Sequence, residues 1–156
     1  MQREIELGNI WFGRNGDSAP RRKKYLTDVT KGLTPQTLWP ADDVGTTEDA
    51  KKHIVWLFPD SPPFDTPKPE SLIARVLQIA TDPGDLVLDA YLGSGTTAAV
   101  AHKMHRRYLG IESGRHAATI CLARIQKVIE GEQGGISRAV GWTGGGGCVF
   151  EPKDSA

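Results

Sequence analysis

The sequence predicts an α/β fold: parallel strands with helices on the faces of their sheet. Three observations predict it. Leu86 to Leu88 form a short apolar run introduced by the turn residues Asp82, Pro83 and Gly84. Gly93, Ser94 and Gly95 then make a tight turn that opens into Thr96, Thr97 and the small residues Ala98 to Ala101, a helix able to lie close against a sheet. Tyr108 to Ile111 is the next apolar strand and ends in Glu112. Strand, glycine loop, helix, strand is the order of a parallel unit.

The other elements follow in chain order. Ile10 to Phe12 is a short apolar stretch, and Asn15-Gly16 after it predicts a hairpin turn. Arg21 to Lys24 are four consecutive positive charges, read as a solvated loop ahead of a phosphate contact. Residues 26–50 are polar and irregular; Thr46 or Thr47 caps a short helix from Glu48 to His53, and Trp39 is a packing anchor. Ile54 to Phe58 is an apolar run predicted as a strand. Pro69 suits the first turn of a helix whose apolar stripe is Leu72, Ile73, Val76, Leu77 and Ala80. Gly114 to Glu130 is an amphipathic helix that makes Cys121 a core residue, and 131–141 is a loop. The glycines 144–147 are a flexible approach to a late strand at Cys148 to Phe150.

Composition narrows the class. At 156 residues the chain is long enough for one proper core, and Gly 18 with Pro 10 suits a loop-rich α/β piece. Lys+Arg 19 against Asp+Glu 19 gives no net charge, which argues against a domain that grips DNA strongly by itself. The cysteines Cys121 and Cys148 form no metal pattern or disulfide framework, so a reducing cytoplasm is expected, and no long apolar run predicts a membrane span.

Asp89 and Glu112 close two neighbouring strands, and the tips of such strands are where nucleoside-bearing ligands bind. No Gly-Lys-Ser/Thr follows the glycines, and Asp89 stands between the strand and the turn. A carboxylate is a poor neighbour for a pyrophosphate and a good one for a sulfonium, which favours S-adenosylmethionine over a nicotinamide dinucleotide.

Asp89-Ala-Tyr-Leu-Gly-Ser-Gly-Thr-Thr97 resembles the cofactor motif of the amino-group DNA methyltransferases, Asp-x-Phe-x-Gly-Ser-Gly-Thr-Thr, with Tyr91 for the Phe and Leu92 for the common Ala. Phe64-Asp-Thr-Pro-Lys-Pro-Glu-Ser-Leu-Ile73 resembles the motif that precedes it in β-ordered members. The family most similar is the modification (Mod) subunit of type III restriction systems, with its adenine-N6 relatives. Gly32 to Trp39, Asp43 to Thr46 and Gly144 to Phe150 share the likeness.

The resemblance implies a partial Rossmann-like, S-adenosylmethionine-dependent methyltransferase fold in three layers, α-β-α, its sheet truncated to strand order 3-2-1 at best with helices on its faces. It implies cofactor contacts from Thr66, Pro67, Lys68, Pro69, Asp89, Ala90, Gly93, Ser94, Gly95, Thr96, Thr97 and Glu112, and no metal. It implies DNA as the substrate of the complete enzyme. The family's catalytic Asp-Pro-Pro-Tyr is not found in the chain. Ser61-Pro62-Pro63-Phe64 fits its loosest form, but it runs directly into the next motif and is read as a rigid proline turn. No catalytic residue is therefore assigned. A partner polypeptide carrying the catalytic motif and the target-recognition region is expected. Residues 1–53 are divided off as an irregular segment following that region, and 54–156 as the cofactor-binding half. Without the neighbouring strand the sheet edge stays open, predicting poor solubility or self-association. Two rivals stand beside this reading: a non-catalytic cofactor-binding or DNA-associated subunit, and a fragment of a dinucleotide-binding oxidoreductase.

Overall fold

The fold is that of a computed structural model, which describes residues 1–28, 32, 34–62 and 64–152. The chain divides into two compact units, Met1–Pro35 and Gln36–Ala156. In the first, helix α1 (Gln2–Glu6) precedes strand β1 (Ile10–Trp11), which pairs antiparallel with β2 (Arg21–Arg22). The Asn15-Gly16 signal lies in the loop joining them, so the predicted hairpin is present with a long connection. A single 3₁₀ turn, Leu26–Asp28, follows.

The second unit opens with α2 (Ala41–Val44) and α3 (Thr47–Leu57). Thr46 caps α3 reciprocally: its hydroxyl accepts from the Asp49 N–H at 3.2 Å, and its own N–H donates to the Asp49 carboxylate at 2.9 Å. The helix runs on through Ile54 to Leu57, which corrects the predicted strand Ile54 to Phe58. The apolar run is the second half of a helix that buries Ala50, Ile54 and Leu57 at helical spacing. Helix α4 (Glu70–Ala80) starts just after Pro69, its cap residue, as the sequence predicts. Its buried face differs from the predicted stripe. Leu77, Ile73 and Ala74 pack inward, while Val76 and Ile79 are exposed.

Strand β3 (Leu86–Asp89), helix α5 (Thr96–Lys103) and strand β4 (Arg107–Gly110) form the predicted parallel unit. Leu86 lies beside Arg107 and Asp89 beside Gly110, and each strand's last side chains reach the same end of the sheet. Val87 and Tyr108 face the helices, joining a core with Leu77, Val100, Ala101 and Ile136. Ala98, Ala99, Ile125, Val128 and Trp142 form a second core on the other flank of α5. Successive strand residues point to opposite faces, and the face away from α5 carries Leu86, Leu88 and Leu109, each more than half exposed. Among the described residues the sheet has two strands with helices on one face. The expected third strand and second helical layer are not among them.

The predicted amphipathic helix after Glu112 is present in two pieces: a π-helical stretch, Ala117–Leu122, continued by α6 (Ala123–Ile129). Short α7 (Ser137–Val140) lies within the segment predicted as a loop. The glycine run is seated rather than loose. The Gly145 N–H donates to the Ile129 carbonyl at 2.7 Å, and His102 Nε2 donates to the Gly145 carbonyl at 2.8 Å. Cys148 to Phe150 is not a strand, because its backbone has no neighbouring strand to pair with among the described residues. No helix among the described residues is long and apolar enough to cross a membrane.

Candidate functional site

The C-terminal tips of β3 and β4 bring the two predicted acids to one end of the sheet. Backbone hydrogen bonds carry the pairing past the strands: the Ile111 N–H donates to the Asp89 carbonyl at 2.8 Å, and the Leu92 N–H to the Ile111 carbonyl at 3.0 Å. Asp89 is half-buried, and its carboxylate accepts the Tyr91 N–H at 3.0 Å. Glu112 is fixed more tightly. One oxygen accepts the Gly93 N–H and the other the Gly114 N–H, both at 2.8 Å, and His116 Nε2 lies 3.2 Å away. The N–H groups of Gly114 and Gly93, with His116 behind them, hold this carboxyl below the usual carboxylate range. Each oxygen has two lone pairs and spends one on the backbone. The carboxylate is oriented with acceptor capacity left over.

The glycines of the turn differ in what they do. Gly93 is in the left-handed region at φ +57, and a methyl there would meet Phe64 Cζ at 3.7 Å and the Tyr91 carbonyl at 3.8 Å, both ordinary contacts. Gly95 is at φ +77, and a methyl there would sit 3.2 Å from Cys121 Cα. Gly95 thus lets the π-helical stretch approach the turn. The Gly93 N–H is already committed to Glu112 and is not aimed at a ligand. Cys121 is buried at 4% exposure and donates its thiol to the Gly93 carbonyl at 2.7 Å. Burial, with the Glu112 charge adding, pushes that thiol up to about 11, so it is a core group and not a nucleophile.

Neither threonine after the turn caps α5 with its side chain. Gly95 is the cap residue, and the Thr96 hydroxyl serves elsewhere. It donates to the Lys68 carbonyl at 3.2 Å, lies 3.1 Å from the Ser94 hydroxyl, and accepts from Arg124 Nη1 at 2.9 Å. This ties the Thr66–Pro69 segment to the glycine turn, two sequence motifs nearly thirty residues apart. Thr66 and the Lys68 side chain are exposed, Pro67 and Pro69 are buried, Ala90 is exposed and Thr97 is partly buried. A cleft of about 710 Å³ adjoins the turn, lined by Asp60, Ser61, Phe64, Asp65, Thr66 and Thr119 among others. Of the predicted residues only Thr66 lines it. Phe64 connects cleft and turn, its ring edge-to-face with His116 at 5.3 Å and its tip close to Gly93. Pro63 of the Ser61–Phe64 motif lies outside the described residues.

Sequence reasoning missed what lies under the turn. Glu70, Lys103 and Arg124 are at most 3% exposed and joined as ion pairs, with Glu132 on the far side of Lys103. His53, Glu70 and Glu132 come close enough together to hold a cation, but the Lys103 ammonium already pairs with both carboxylates. That supports no metal centre.

The family described as DNA methylase, the N6/N4 methyltransferases, matches residues 10–123. The chain is 58% identical over 83 residues to a probable type III restriction-modification enzyme HindVI Mod subunit of Haemophilus influenzae, covering 53% of this chain and 11% of that protein. It is 38% identical over 89 residues to the StyLTI Mod subunit of Salmonella typhimurium, covering 57% of this chain and 13% of the relative. It is 32% identical over 117 residues to the type II methyltransferase M2.DpnII of Streptococcus pneumoniae, covering 75% of this chain and 41% of the relative. The matched segment is thus a small part of both Mod subunits and less than half of the type II enzyme. With most of its length matched, this chain belongs to the DNA methylase family of N6/N4 methyltransferases.

Proposed function

We propose that this chain is the cofactor-binding half, residues 54–156, of a site-specific DNA methyltransferase of the adenine-N6 type, folded as part of a Rossmann-like domain. S-adenosylmethionine is the methyl donor. The observation that carries this reading is the meeting of Asp89 and Glu112 at adjacent strand tips, with the Gly93 N–H bonded to Glu112 and the Tyr91 N–H to Asp89. The donor set fits the cofactor. Two carboxylates suit a cation and ribose hydroxyls. The cations beneath the turn are already committed: Arg124 to Glu70, Thr96 and the Ser94 carbonyl, and Lys103 to Glu70 and Glu132, which leaves them poorly placed to serve a pyrophosphate. That favours S-adenosylmethionine over a dinucleotide.

When bound, the cofactor supplies a methyl group already activated by its sulfonium charge. This chain's own work is placement. Glu112, locked by two backbone N–H groups with His116 beside Oε1, offers the acceptor position left on Oε2 to a ribose hydroxyl, and Asp89 offers a carboxylate to the cationic end. Ala90, Ser94 and Thr97 shape the turn, and Thr66 to Pro69 close it from the side. Positioning of this kind supplies much of the acceleration available to a direct displacement.

Asp-Pro-Pro-Tyr does not occur in these 156 residues. The groups that accept the target amino protons and stack the flipped base come from another segment, in a longer chain or a partner polypeptide. The open apolar sheet face at Leu86, Leu88 and Leu109 supports such a neighbour. Arg21 is exposed and open to DNA phosphates, while Arg22, also exposed, has the Glu4 carboxylate 3.9 Å away. The missing motif also favours a second reading, in which the chain alone binds the donor and transfers nothing.

Competition thermal shift and a tritium-transfer assay on DNA test these readings together. S-adenosylmethionine should raise the melting temperature where NADH does not, and transfer should rise above background only when a polypeptide with Asp-Pro-Pro-Tyr is added. Stabilisation by NADH in preference would overturn the proposal.

A further inference from the structure

We infer that Glu70 and Arg124 are positioning residues for the glycine turn: a buried ion pair that sets the backbone of Ser94 to Thr96 from beneath. The inference rests on the proposed cofactor reading for its consequence, and on geometry alone for its core. Arg124 is 1% exposed. Nη1 donates to the Ser94 carbonyl at 3.3 Å and to the Thr96 hydroxyl at 2.9 Å, while Nη2 donates to Glu70 Oε1 at 2.9 Å. The guanidinium is a rigid planar fork, so fixing one arm on a carboxylate fixes where the other arm lies. Glu70 is itself held. Its second oxygen accepts Lys103 Nζ at 2.8 Å and the Ile136 N–H at 3.0 Å. The Thr96 hydroxyl then donates to the Lys68 carbonyl, two residues before Glu70. The bonds close a ring from Glu70 through Arg124 and Thr96 back to Lys68, joining both sides of the proposed cofactor seat.

A role in stability alone is a weak account of this arrangement. Buried ion pairs can often be replaced by apolar groups at little cost, because desolvation offsets their attraction. The Arg124 Nε also lacks a hydrogen-bond partner. What the fork provides that a leucine could not is two directed bonds to one turn. Lys103 is the internal control, since it neutralises the same Glu70 from the opposite side and makes no bond to the turn.

The test uses the full chain with Arg124→Met, Arg124→Lys and Lys103→Met. Urea unfolding measures stability, hydrogen exchange of the peptide spanning residues 93–97 measures the turn, and calorimetry measures S-adenosylmethionine affinity. Arg124→Met should speed exchange of the turn and weaken affinity about tenfold or more, the scale of one charge-assisted hydrogen bond. Lys103→Met should lower the urea midpoint while turn exchange and affinity stay within about twofold. Arg124→Lys keeps the charge and loses the fork, so it should stay folded and still free the turn. Should Arg124→Met fail to fold, Arg124→Lys decides alone. Wild-type exchange and affinity in Arg124→Lys, or equal losses in Lys103→Met, overturn the inference. A wild-type chain that binds no S-adenosylmethionine, with turn exchange still faster in the arginine variants, refutes the cofactor reading and leaves the positioning role supported.

Discussion

Glycines 93 and 95 look alike in a sequence motif and are not alike in the fold. At Gly95 a β-carbon would press on the Cys121 backbone at 3.2 Å in a left-handed conformation; at Gly93 only the conformation matters, with the nearest atom at 3.7 Å. Left-handed backbone costs a non-glycine residue roughly 1–2 kcal/mol, and a backbone contact that cannot yield adds to it. Gly95→Ala should therefore destabilise more than Gly93→Ala in urea unfolding; the reverse order would contradict the assignment. Glu112 gives a pH signature. The Gly114 and Gly93 N–H groups hold its carboxyl below the ordinary glutamate value of about 4.5, so its contribution to folding is complete above about that pH and lost as pH falls through the lower native value. Glu112→Gln should flatten this acid-side slope. The acids and glycines were legible in the sequence because spacing after a strand marks them. The bonds made by the Gly93 N–H and by Cys121 were not, since they depend on how close two backbones come.

Helix α3 shows where reading elements from sequence went astray. Ile54 to Phe58 is a continuous apolar run, and such a run has no period of its own. The deciding signal lay upstream, where Thr46 and Asp49 form a capping box and Ala50, Ile54 and Leu57 share a face. Thr46→Ala should lower stability by about 1 kcal/mol, and an unchanged midpoint would show that the box contributes nothing. The β3–α5–β4 unit was legible for the opposite reason: glycines, prolines and acids punctuate each of its ends. The buried charges joining α4, α5 and α6 were not, because Arg124 lies 54 residues from Glu70 and Lys103 lies 33.

Across the whole molecule, a neutral charge cluster sits inside the helical layer while an apolar sheet face stays open. Burial works to raise the Glu132 pKa, but His53, Lys103 and the Gly134 N–H outweigh it and bring it to about 2. Glu70 is likewise lowered, Arg124 and Lys103 outweighing its burial. Glu132 contributes stability that is intact above about pH 4.5 and is lost as pH falls toward about 2, and Glu70 contributes stability that is lost as pH falls through its own lowered value. Glu132→Gln should make the chain less stable at neutral pH and less sensitive to acid. On the open face Leu88 and Leu109 are paired neighbours, 63% and 54% exposed. Sedimentation should show concentration-dependent association that Leu88→Lys with Leu109→Lys abolishes; a wild-type chain that stays monomeric would argue against an uncovered interface. The three-layer expectation could not be checked by sequence pattern alone, because apolar strands look the same whether one face or both are covered.

In the proposed function Glu112, held by the glycine turn, seats S-adenosylmethionine. Calorimetric titration of that cofactor into the wild-type chain and into Glu112→Ala is the decisive measurement. A single site is expected in the wild type, with affinity falling about tenfold or more in the variant, the loss of hydrogen bonds to a charged acceptor. Equal affinity in the two chains, or no binding by the wild type, would contradict it.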